Sequence, residues 1–141
     1  MRSTRLPGKV LLPVLGRPLL AHMVERLRRA RTLDDIVVAT TDDPSCDAIE
    51  ELCRSLGVGV FRGSEDDVLA RVLGAASAAG AEVIVETTGD CALIDPAVLD
   101  RVVDAYGAGD ADFCSNTLTE TWPRGMTCAS SPPRRWPRSR G

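Results

Sequence analysis

The chain has 141 residues, of which 44% are hydrophobic and 26% are charged, and this composition is typical of a globular chain with a core of its own. No apolar run approaches the roughly 20 residues that span a bilayer, and the N-terminus lacks a basic segment followed by an apolar signal region. These features predict one soluble, cytoplasmic domain and no membrane partner.

The net charge of -3 is unevenly distributed along the chain. Residues 128–141 contain four arginines and no acidic residue, which leaves 13 of the 17 basic residues and all 20 acidic residues in residues 1–127. Affinity for nucleic acid depends on neutralising phosphates with basic side chains. The acidic body of the chain therefore argues against a general nucleic-acid partner.

The cysteines and the single histidine limit the possible chemistry. Five cysteines without a Cys-x-x-Cys pair favour free thiols over a disulfide framework or a zinc site. His22 is predicted to share a polar helix face with Arg26 and Arg29, and no histidine is near Cys91 in sequence. Catalysis by a Cys/His or Ser/His/Asp arrangement therefore has little support.

Four helices are predicted from apolar residues at helical spacing. The first follows Gly16-Arg17-Pro18, and its apolar positions are Leu20, Met23, Val24, Leu27 and Ala30. The second begins at Asp43-Pro44 and ends at Gly57, while the third follows the capping sequence Ser64-Glu65-Asp66-Asp67 and ends at Gly80. The fourth begins at Asp95-Pro96 and ends at Gly107.

Short apolar segments between these helices predict strands at residues 35–40, 58–61, 82–86 and 112–114. Strands that alternate with helices indicate a mainly parallel sheet covered on both faces. We therefore expect an α/β, doubly wound fold. The glycine patterns of a dinucleotide fingerprint and of a Walker-type phosphate loop are both absent from the sequence.

The segment Thr87–Pro96 carries the first candidate site residue. Asp90 follows Gly89 at the end of the strand that contains Val83-Ile84-Val85. Ligands of open α/β sheets bind outside the carboxyl ends of the strands, so a carboxylate at this point is well placed to hold a metal or a substrate hydroxyl. The residues alone leave open the alternative that Gly89-Asp90 is only a polar turn.

The N-terminal segment Ser3–Lys9, with the sequence STRLPGK, carries the second candidate site. Arg5 and Lys9 lie four residues apart around a Pro7-Gly8 turn, and such a loop can direct both cations and its backbone N–H groups onto one polyphosphate. An exposed basic loop without a ligand is the alternative. Combined with Asp90, the loop provides cations for a triphosphate and a carboxylate for Mg²⁺, which nucleotidyl transfer requires.

The chain resembles the cytidylyltransferase-like family of spore coat polysaccharide biosynthesis protein F, which is similar to the acylneuraminate and 3-deoxy-manno-octulosonate cytidylyltransferases. The resemblance covers residues 3 to about 126 in five ordered motifs: STRLPGKVL, GRPLL, FRGSEDDVL, TGDCALIDP and Ser115-Asn116. It implies a Rossmann-like nucleotide-diphospho-sugar transferase fold. It also implies attack by a sugar hydroxyl on the α-phosphate of CTP, which gives a CMP-sugar and pyrophosphate for surface polysaccharide biosynthesis.

The resemblance further implies roles for individual residues. Arg5, Lys9 and Asp90 would be the catalytic residues, with Asp90 as the Mg²⁺ ligand. The nucleotide-binding residues would be Ser3, Thr4, Arg5, Gly8, Lys9, Arg62, Gly63 and Ser64. Asp67 is expected to cap a helix instead of binding a ligand. A homodimer is compatible with the resemblance.

The chain also departs from the family pattern. Family members have an apolar strand before the Arg5 loop and more than a hundred residues after the segment WPRGM, whereas Met1 falls inside that loop here. Glu86 and Ala92 stand where the family usually has arginine and proline, and a second metal carboxylate has no counterpart. We therefore expect residues 1–127 to be an incomplete nucleotidyltransferase domain, truncated at both ends. A non-catalytic remnant with weak nucleotide or partner binding is the alternative function.

Residues 128–141, with the sequence CASSPPRRWPRSRG, break the pattern of the preceding chain. Three prolines and four arginines leave no hydrophobic period and little apolar surface. This composition predicts a disordered basic tail. Because the change comes soon after a predicted strand, out-of-frame translation of a G+C-rich gene is favoured over a functional interaction tail.

Overall fold

The computed structural model describes residues 6, 8–117, 119 and 125–133, and between residues 19 and 115 helices and strands alternate as predicted. The helices are α1 (Leu19–Leu27), α2 (Asp47–Leu56), α3 (Val68–Ala78) and α4 (Pro96–Ala108). The strands are β1 (Pro13–Val14), β2 (Arg17–Pro18), β3 (Val37–Thr41), β4 (Gly59–Gly63), β5 (Ile84–Glu86), β6 (Cys114–Ser115) and β7 (Ala129–Ser131). Two 3-10 turns, Lys9–Leu11 and Pro44–Cys46, precede β1 and α2.

The apolar segment after Lys9 forms a 3-10 turn and a small hairpin. β1 pairs with β2 in the antiparallel sense, and Leu15 and Gly16 between them have φ angles of 50° and 78°. Two consecutive positive φ angles are typical of the tight turns that match the twist of a hairpin. The hairpin ends at Pro18, and α1 begins at the next residue, as the sequence predicts.

The parallel pair β3 and β4 confirms the predicted strand type. Val37 lies opposite Gly59 and Thr41 lies opposite Gly63, so the two carboxyl ends are adjacent. The amide of Asp42 donates to the carbonyl of Gly63 at 3.1 Å and extends this pairing by one residue. β3 and β4 pack against α3, and their parallel pairing places the loops that follow both strands at one edge of the sheet.

Helix α1 contributes to two hydrophobic clusters among the described residues. Met23 and Leu27 belong to a cluster with residues of α4 and of the loop before it, including Ile94 and Leu99, which are 0% exposed. Its other apolar side chains, Leu20 and Val24, pack in a second cluster with Cys46, Ile49 and Cys53. Apolar side chains at helical spacing therefore make α1 the common support of two regions of the sheet.

The helix boundaries follow the predicted capping residues. The carboxylates of Asp67 and Asp95 each accept a hydrogen bond of 2.8 Å from an amide in the first turn of α3 and α4, which confirms both as caps. Gly57 has a φ of 64° and ends α2, as expected. Helix α4 instead continues through Gly107 to Ala108 and is capped by Gly109, two residues beyond the predicted glycine.

The prediction of a tail without structure from Cys128 onward is wrong for residues 129–131. These residues form β7, which pairs in the antiparallel sense with both β5 and β6. The amide of Cys128 donates to the side-chain carbonyl of Asn116 at 3.0 Å, and Ser130 is 0% exposed. The backbone edges of β5 and β6 provide the hydrogen bonds that order this segment. Residues 134–141 lie outside the described residues.

All five cysteines are free thiols, in agreement with the expectation from their number and spacing. Burial raises the pKa of the Cys128 thiol to about 11, so this side chain is neutral at physiological pH. In the described part of the chain, no helix is long and apolar enough to cross a bilayer.

Candidate functional site

The structure brings Lys9 and Asp90 into direct contact across 81 residues of sequence. Lys9 Nζ donates a hydrogen bond to Asp90 Oδ2, and the two groups form an ion pair. Their side chains are 34% and 42% exposed, so both charged groups are accessible to solvent and to a ligand. The two sequence segments that predicted a nucleotide site therefore meet at the carboxyl end of β5.

A left-handed glycine begins the turn that carries Lys9. Gly8 has a φ of 68°, and its carbonyl accepts a hydrogen bond of 2.9 Å from the amide of Leu11. Val10 and Leu11 pack against the cluster that contains Leu20 and Val24 of α1. The turn is thus fixed on α1 while the Lys9 side chain remains partly exposed.

Two consecutive backbone turns carry Asp90. The amide of Cys91 donates to Thr88 O at 2.9 Å, and the amide of Ile94 donates to Cys91 O at 3.0 Å. A Cβ atom at Gly89 would lie 3.6 Å from the side chain of Val10, so the Asp90 loop runs along the Lys9 turn. The sequence alternative of a polar turn is therefore correct for the backbone, and the same turn directs a carboxylate toward a cation.

The surroundings of Asp90 favour its ionised form. The hydrogen bond from Lys9 is the largest influence that lowers the pKa of Asp90, and the Thr88 hydroxyl contributes in the same direction. Partial burial opposes this shift. Asp90 is consequently a carboxylate at neutral pH, which is the form that ligates a divalent cation.

A cavity of about 560 Å³ borders Asp90. Its walls come from the β1–β2 hairpin, one face of α1 and the loop of residues 90–93, and they include His22, Arg26 and Arg29. The Cys91 thiol is 5% exposed and lies 2.9 Å from the Thr88 hydroxyl. His22 bonds the carbonyl of Val14 through Nε2 at 2.7 Å, so Cys91 and His22 are each engaged with other groups.

Arg62 lies at the end of β4 within a dense hydrogen-bond network. Its guanidinium donates to the carboxylates of Asp47 at 2.7 Å and Glu50 at 3.1 Å, and to the carbonyls of Thr41 at 3.2 Å and Asp43 at 2.9 Å. Asp47, followed by Glu50, raises the pKa of Arg62 above its ordinary value. These contacts join β4 to the beginning of α2, and none of the four involves Lys9 or Asp90.

Gly63 and Ser64 also make contacts within the fold. Gly63 accepts the hydrogen bond from Asp42 that extends the β3–β4 pair. The Ser64 hydroxyl accepts from the amide of Asp67 at 3.1 Å, and its carbonyl accepts from Arg71. Ser64 thus helps to order the loop before α3. The predicted residues Ser3, Thr4 and Arg5 lie outside the described residues.

Sequence reasoning missed two residues that shape this site. The hydroxyl of Thr88 helps to lower the pKa of Asp90, and Arg26 Nε donates to the carbonyl of Ile94 at 2.7 Å. Thr88 precedes Asp90 by two residues, a spacing at which short polar side chains often bond the neighbouring chain. Arg26 gives no comparable signal, because its partner is 68 residues away.

The donor set around Asp90 fits a metal that binds together with a nucleotide. No group of three His, Cys, Asp or Glu side chains that could hold a metal occurs in the described ranges. Mg²⁺ in nucleotide sites is commonly held by one or two carboxylates, with phosphate oxygens and water as the remaining ligands. A single accessible carboxylate beside a lysine satisfies this requirement, but it is insufficient for a metal held by protein ligands alone.

The model of the family described as "Cytidylyltransferase" matches residues 1–124. The chain belongs to the cytidylyltransferase family. This confirms the resemblance found in the five motifs, which begin with the Lys9 segment and include the Asp90 segment.

Two curated relatives and one solved structure illustrate this membership. The spore coat polysaccharide biosynthesis protein SpsF of Bacillus subtilis is 39% identical over 117 residues, which are 80% of this chain and 49% of that protein. The 3-deoxy-manno-octulosonate cytidylyltransferase of Geobacter sulfurreducens is 42% identical over 106 residues, which are 72% of this chain and 40% of that protein. The chain therefore spans less than half the length of either relative.

The solved structure is a cytidylyltransferase from Leptospira borgpetersenii serovar Hardjo-bovis. It superposes with a TM-score of 0.87 at 40% identity and covers 94% of this chain and 56% of that chain. The predicted α/β fold, with its parallel β3–β4 pair, is thus the fold of a cytidylyltransferase.

Proposed function

We propose that the chain binds CTP with Mg²⁺ at Lys9 and Asp90 and transfers the cytidylyl group to a sugar hydroxyl. The observation that carries this proposal is the contact between Lys9 Nζ and Asp90 Oδ2 at the carboxyl end of β5. Nucleotidyl transfer requires a cation for the triphosphate and a carboxylate for the metal. Membership of the cytidylyltransferase family supports the same reaction class.

The Lys9–Asp90 pair can exchange partners when a nucleotide binds. A pair whose side chains are 34% and 42% exposed contributes about 1 kcal/mol or less to stability, so its separation costs little. A triphosphate oxygen offers Lys9 a stronger charge-assisted hydrogen bond. The exchange releases Asp90 Oδ2, and the carboxylate would then hold Mg²⁺ together with phosphate oxygens.

The protein's contribution to the reaction is binding and orientation. Lys9, with Ser3, Thr4, Arg5 and Gly8 as the remaining proposed members of its loop, would hold the triphosphate against Asp90. When bound, Mg²⁺ neutralises phosphate charge. The sugar oxygen forms a bond to the α-phosphorus while the bond from that phosphorus to the bridging oxygen breaks, pyrophosphate leaves and the hydroxyl proton passes to solvent. Such catalysis needs no covalent enzyme intermediate.

The proposed acceptor is a sugar acid or a related sugar that is activated for surface polysaccharide. The names of two relatives, a 3-deoxy-manno-octulosonate cytidylyltransferase and a spore coat polysaccharide biosynthesis protein, support this substrate class. Gly63 and Ser64, at the carboxyl end of β4, are proposed to lie on the nucleotide or sugar side of the site. Arg62 would act on that side indirectly, because it holds the loop between β3 and α2 in place.

The experiment is an assay of Mg²⁺-dependent pyrophosphate release from CTP, with 3-deoxy-manno-octulosonate and related sugars as acceptors. The 141-residue chain should release pyrophosphate only when CTP, Mg²⁺ and an acceptor are all present. Asp90→Asn should lower the rate by about 100-fold, which is the usual effect of removing one electrostatic contact to the transition state. Asp110→Asn, which changes an exposed carboxylate outside the site, should retain the full rate.

The outcomes of this assay separate the possible functions. Full activity in Asp90→Asn would reject the role of Asp90 as the metal ligand. Binding of CTP with Mg²⁺ but without pyrophosphate release would indicate the non-catalytic alternative. Absence of both CTP binding and pyrophosphate release would contradict the proposed function altogether.

A further inference from the structure

We propose that Arg26 is a positioning residue that fixes the Asp90 loop relative to Lys9, and that nucleotide-linked Mg²⁺ binding depends on it. This inference rests on the proposed function, because it assigns to Arg26 a role at the same site. The hydrogen bond that Arg26 donates goes to Ile94 and not to Lys9 or Asp90. Its effect passes through the backbone of the segment that carries Asp90.

The contact that carries the inference is a hydrogen bond between α1 and the end of the Asp90 loop. Arg26 Nε donates to Ile94 O at 2.7 Å in a partly buried position. The N–H groups of a guanidinium lie in a rigid plane, so such a bond restricts the direction as well as the position of its acceptor. Ile94 itself is 0% exposed and therefore has little freedom to move.

Ile94 is the point from which the position of Asp90 is set. Its amide donates to Cys91 O, and the amide of Cys91 donates to Thr88 O, so two linked turns extend from Ile94 past Asp90 to the end of β5. On the other side of Ile94, the Asp95 carboxylate caps α4. An anchored Ile94 carbonyl thus limits how far the Asp90 carboxylate can shift.

Helix α1 also supports the other half of the site. Val10 and Leu11, in the turn that carries Lys9, pack against Leu20 and Val24 of α1. The amide of Leu19, at the start of α1, donates a hydrogen bond of 3.0 Å to the carbonyl of Leu12, which follows this turn. One rigid helix therefore supports the lysine through packing and the carboxylate through Arg26, and it determines their separation.

Arg29, in the turn that follows α1, provides a matched control. It also borders the cavity beside Asp90, but its Nη2 donates to Glu25 of α1 at 2.7 Å. Its side chain is 63% exposed. Replacing Arg29 removes one positive charge from the same cavity wall without removing a bond to the Asp90 loop.

The experiment compares Arg26→Met with Arg29→Met in two measurements. Methionine keeps an apolar stem of similar length and removes every hydrogen-bond donor. The first measurement is hydrogen exchange of the amides of Cys91 and Ile94, which should become faster in Arg26→Met while the amides of β4 stay unchanged. The second is the Mg²⁺ concentration that gives half of the CTP-dependent rise in melting temperature.

The Mg²⁺ concentration at half-effect should increase by about 10-fold or more in Arg26→Met, the usual cost of losing a residue that orients a metal ligand. The affinity for CTP measured without metal should change little. Arg29→Met should match the wild-type chain in both measurements. Arg26→Lys, which restores one donor, should lie between the wild-type chain and Arg26→Met, and it replaces the methionine variant if that variant does not fold.

Three results would overturn the inference. The first is unchanged exchange at Cys91 and Ile94, and the second is faster exchange that extends equally to β4, which would indicate a general loss of stability. The third is an unchanged Mg²⁺ requirement in a variant whose loop exchanges faster. If the wild-type chain itself does not respond to CTP, the proposed function fails, while the local exchange still shows whether Arg26 holds the loop.

Discussion

A cation lies beside acidic side chains at the ends of both β4 and β5. The two cations differ in how many hydrogen bonds they already make to groups of the fold. At the end of β4, Arg62 bonds two carboxylates and two backbone carbonyls. At the end of β5, Lys9 bonds the single carboxylate of Asp90 at the border of a cavity of about 560 Å³. Among the described residues, Arg62 has four partners inside the fold and serves its structure, whereas Lys9 has one accessible partner that it can exchange for a ligand.

The largest expected effect of this difference is on nucleotide binding. Lys9→Met should weaken the binding of CTP in the presence of Mg²⁺ by about 10-fold or more, because a charge-assisted bond to phosphate is lost. Its unfolding free energy should fall by about 1 kcal/mol or less, since the Lys9–Asp90 pair is accessible to solvent. Isothermal titration and chemical denaturation measure the two quantities. Arg54→Met, which changes an exposed cation on α2, is the control for both.

Arg62→Met should show the opposite pattern. Loss of the guanidinium leaves Asp47, Glu50 and two carbonyls without their shared donor, so the melting temperature should fall further than in Lys9→Met. The affinity of the folded fraction for CTP should be retained or reduced only slightly. A variant that keeps its melting temperature but loses CTP binding would mean that Arg62 is a ligand contact after all.

The packing behind β4 should tolerate no added methyl group at Gly74. A Cβ atom there would lie 2.4 Å from Phe61 Cζ, and overpacking of this kind typically costs about 1–3 kcal/mol. Replacing a helical glycine with alanine gains roughly 1 kcal/mol, so Gly74→Ala should be destabilising by about 1 kcal/mol in urea denaturation. Gly107→Ala in α4 meets nothing within 4 Å and should instead stabilise the chain. A more stable Gly74→Ala would show that Phe61 moves freely.

The smallest expected effect is the pH dependence of the Lys9–Asp90 pair. The pKa of Asp90 is lowered in the folded state, so its contribution to stability is present above the ordinary value of 3.8 and is lost as the pH falls through the folded value. Stability curves of the wild-type chain and Lys9→Met should therefore converge below about pH 4. Curves that remain separate at low pH would show that Lys9 stabilises the fold by another route.

Local patterns predicted the local features of this chain. The apolar periods and the capping residues Asp67 and Asp95 predicted the order of the four helices and of β3 to β6, and the Gly89-Asp90 dipeptide marked the loop after β5. The contacts that distinguish the two strand ends are long-range, so no local pattern indicates them. Arg62 bonds residues 12 to 21 positions earlier in the chain, and Arg26 bonds a carbonyl 68 positions later.

Strand β7 was missed for a different physical reason. Ala129, Ser130 and Ser131 are small and carry no alternation of apolar and polar side chains. Their strand depends on the hydrogen-bonding edges of β5 and β6, between which they lie. A segment whose structure comes from its neighbours has no signal of its own in the sequence.

The most direct test of the account is the thermal unfolding of the 141-residue chain with CTP and Mg²⁺, with ATP and Mg²⁺ as the comparison. A ligand that binds only the folded state stabilises it by about 2.7 kcal/mol at a concentration 100 times its dissociation constant. The account predicts a cooperative transition that moves to higher temperature with CTP, does not move with ATP, and loses its CTP response in Asp90→Asn. A transition temperature that does not change with CTP, or that rises equally with both nucleotides, would contradict a cytidine nucleotide site at Lys9 and Asp90.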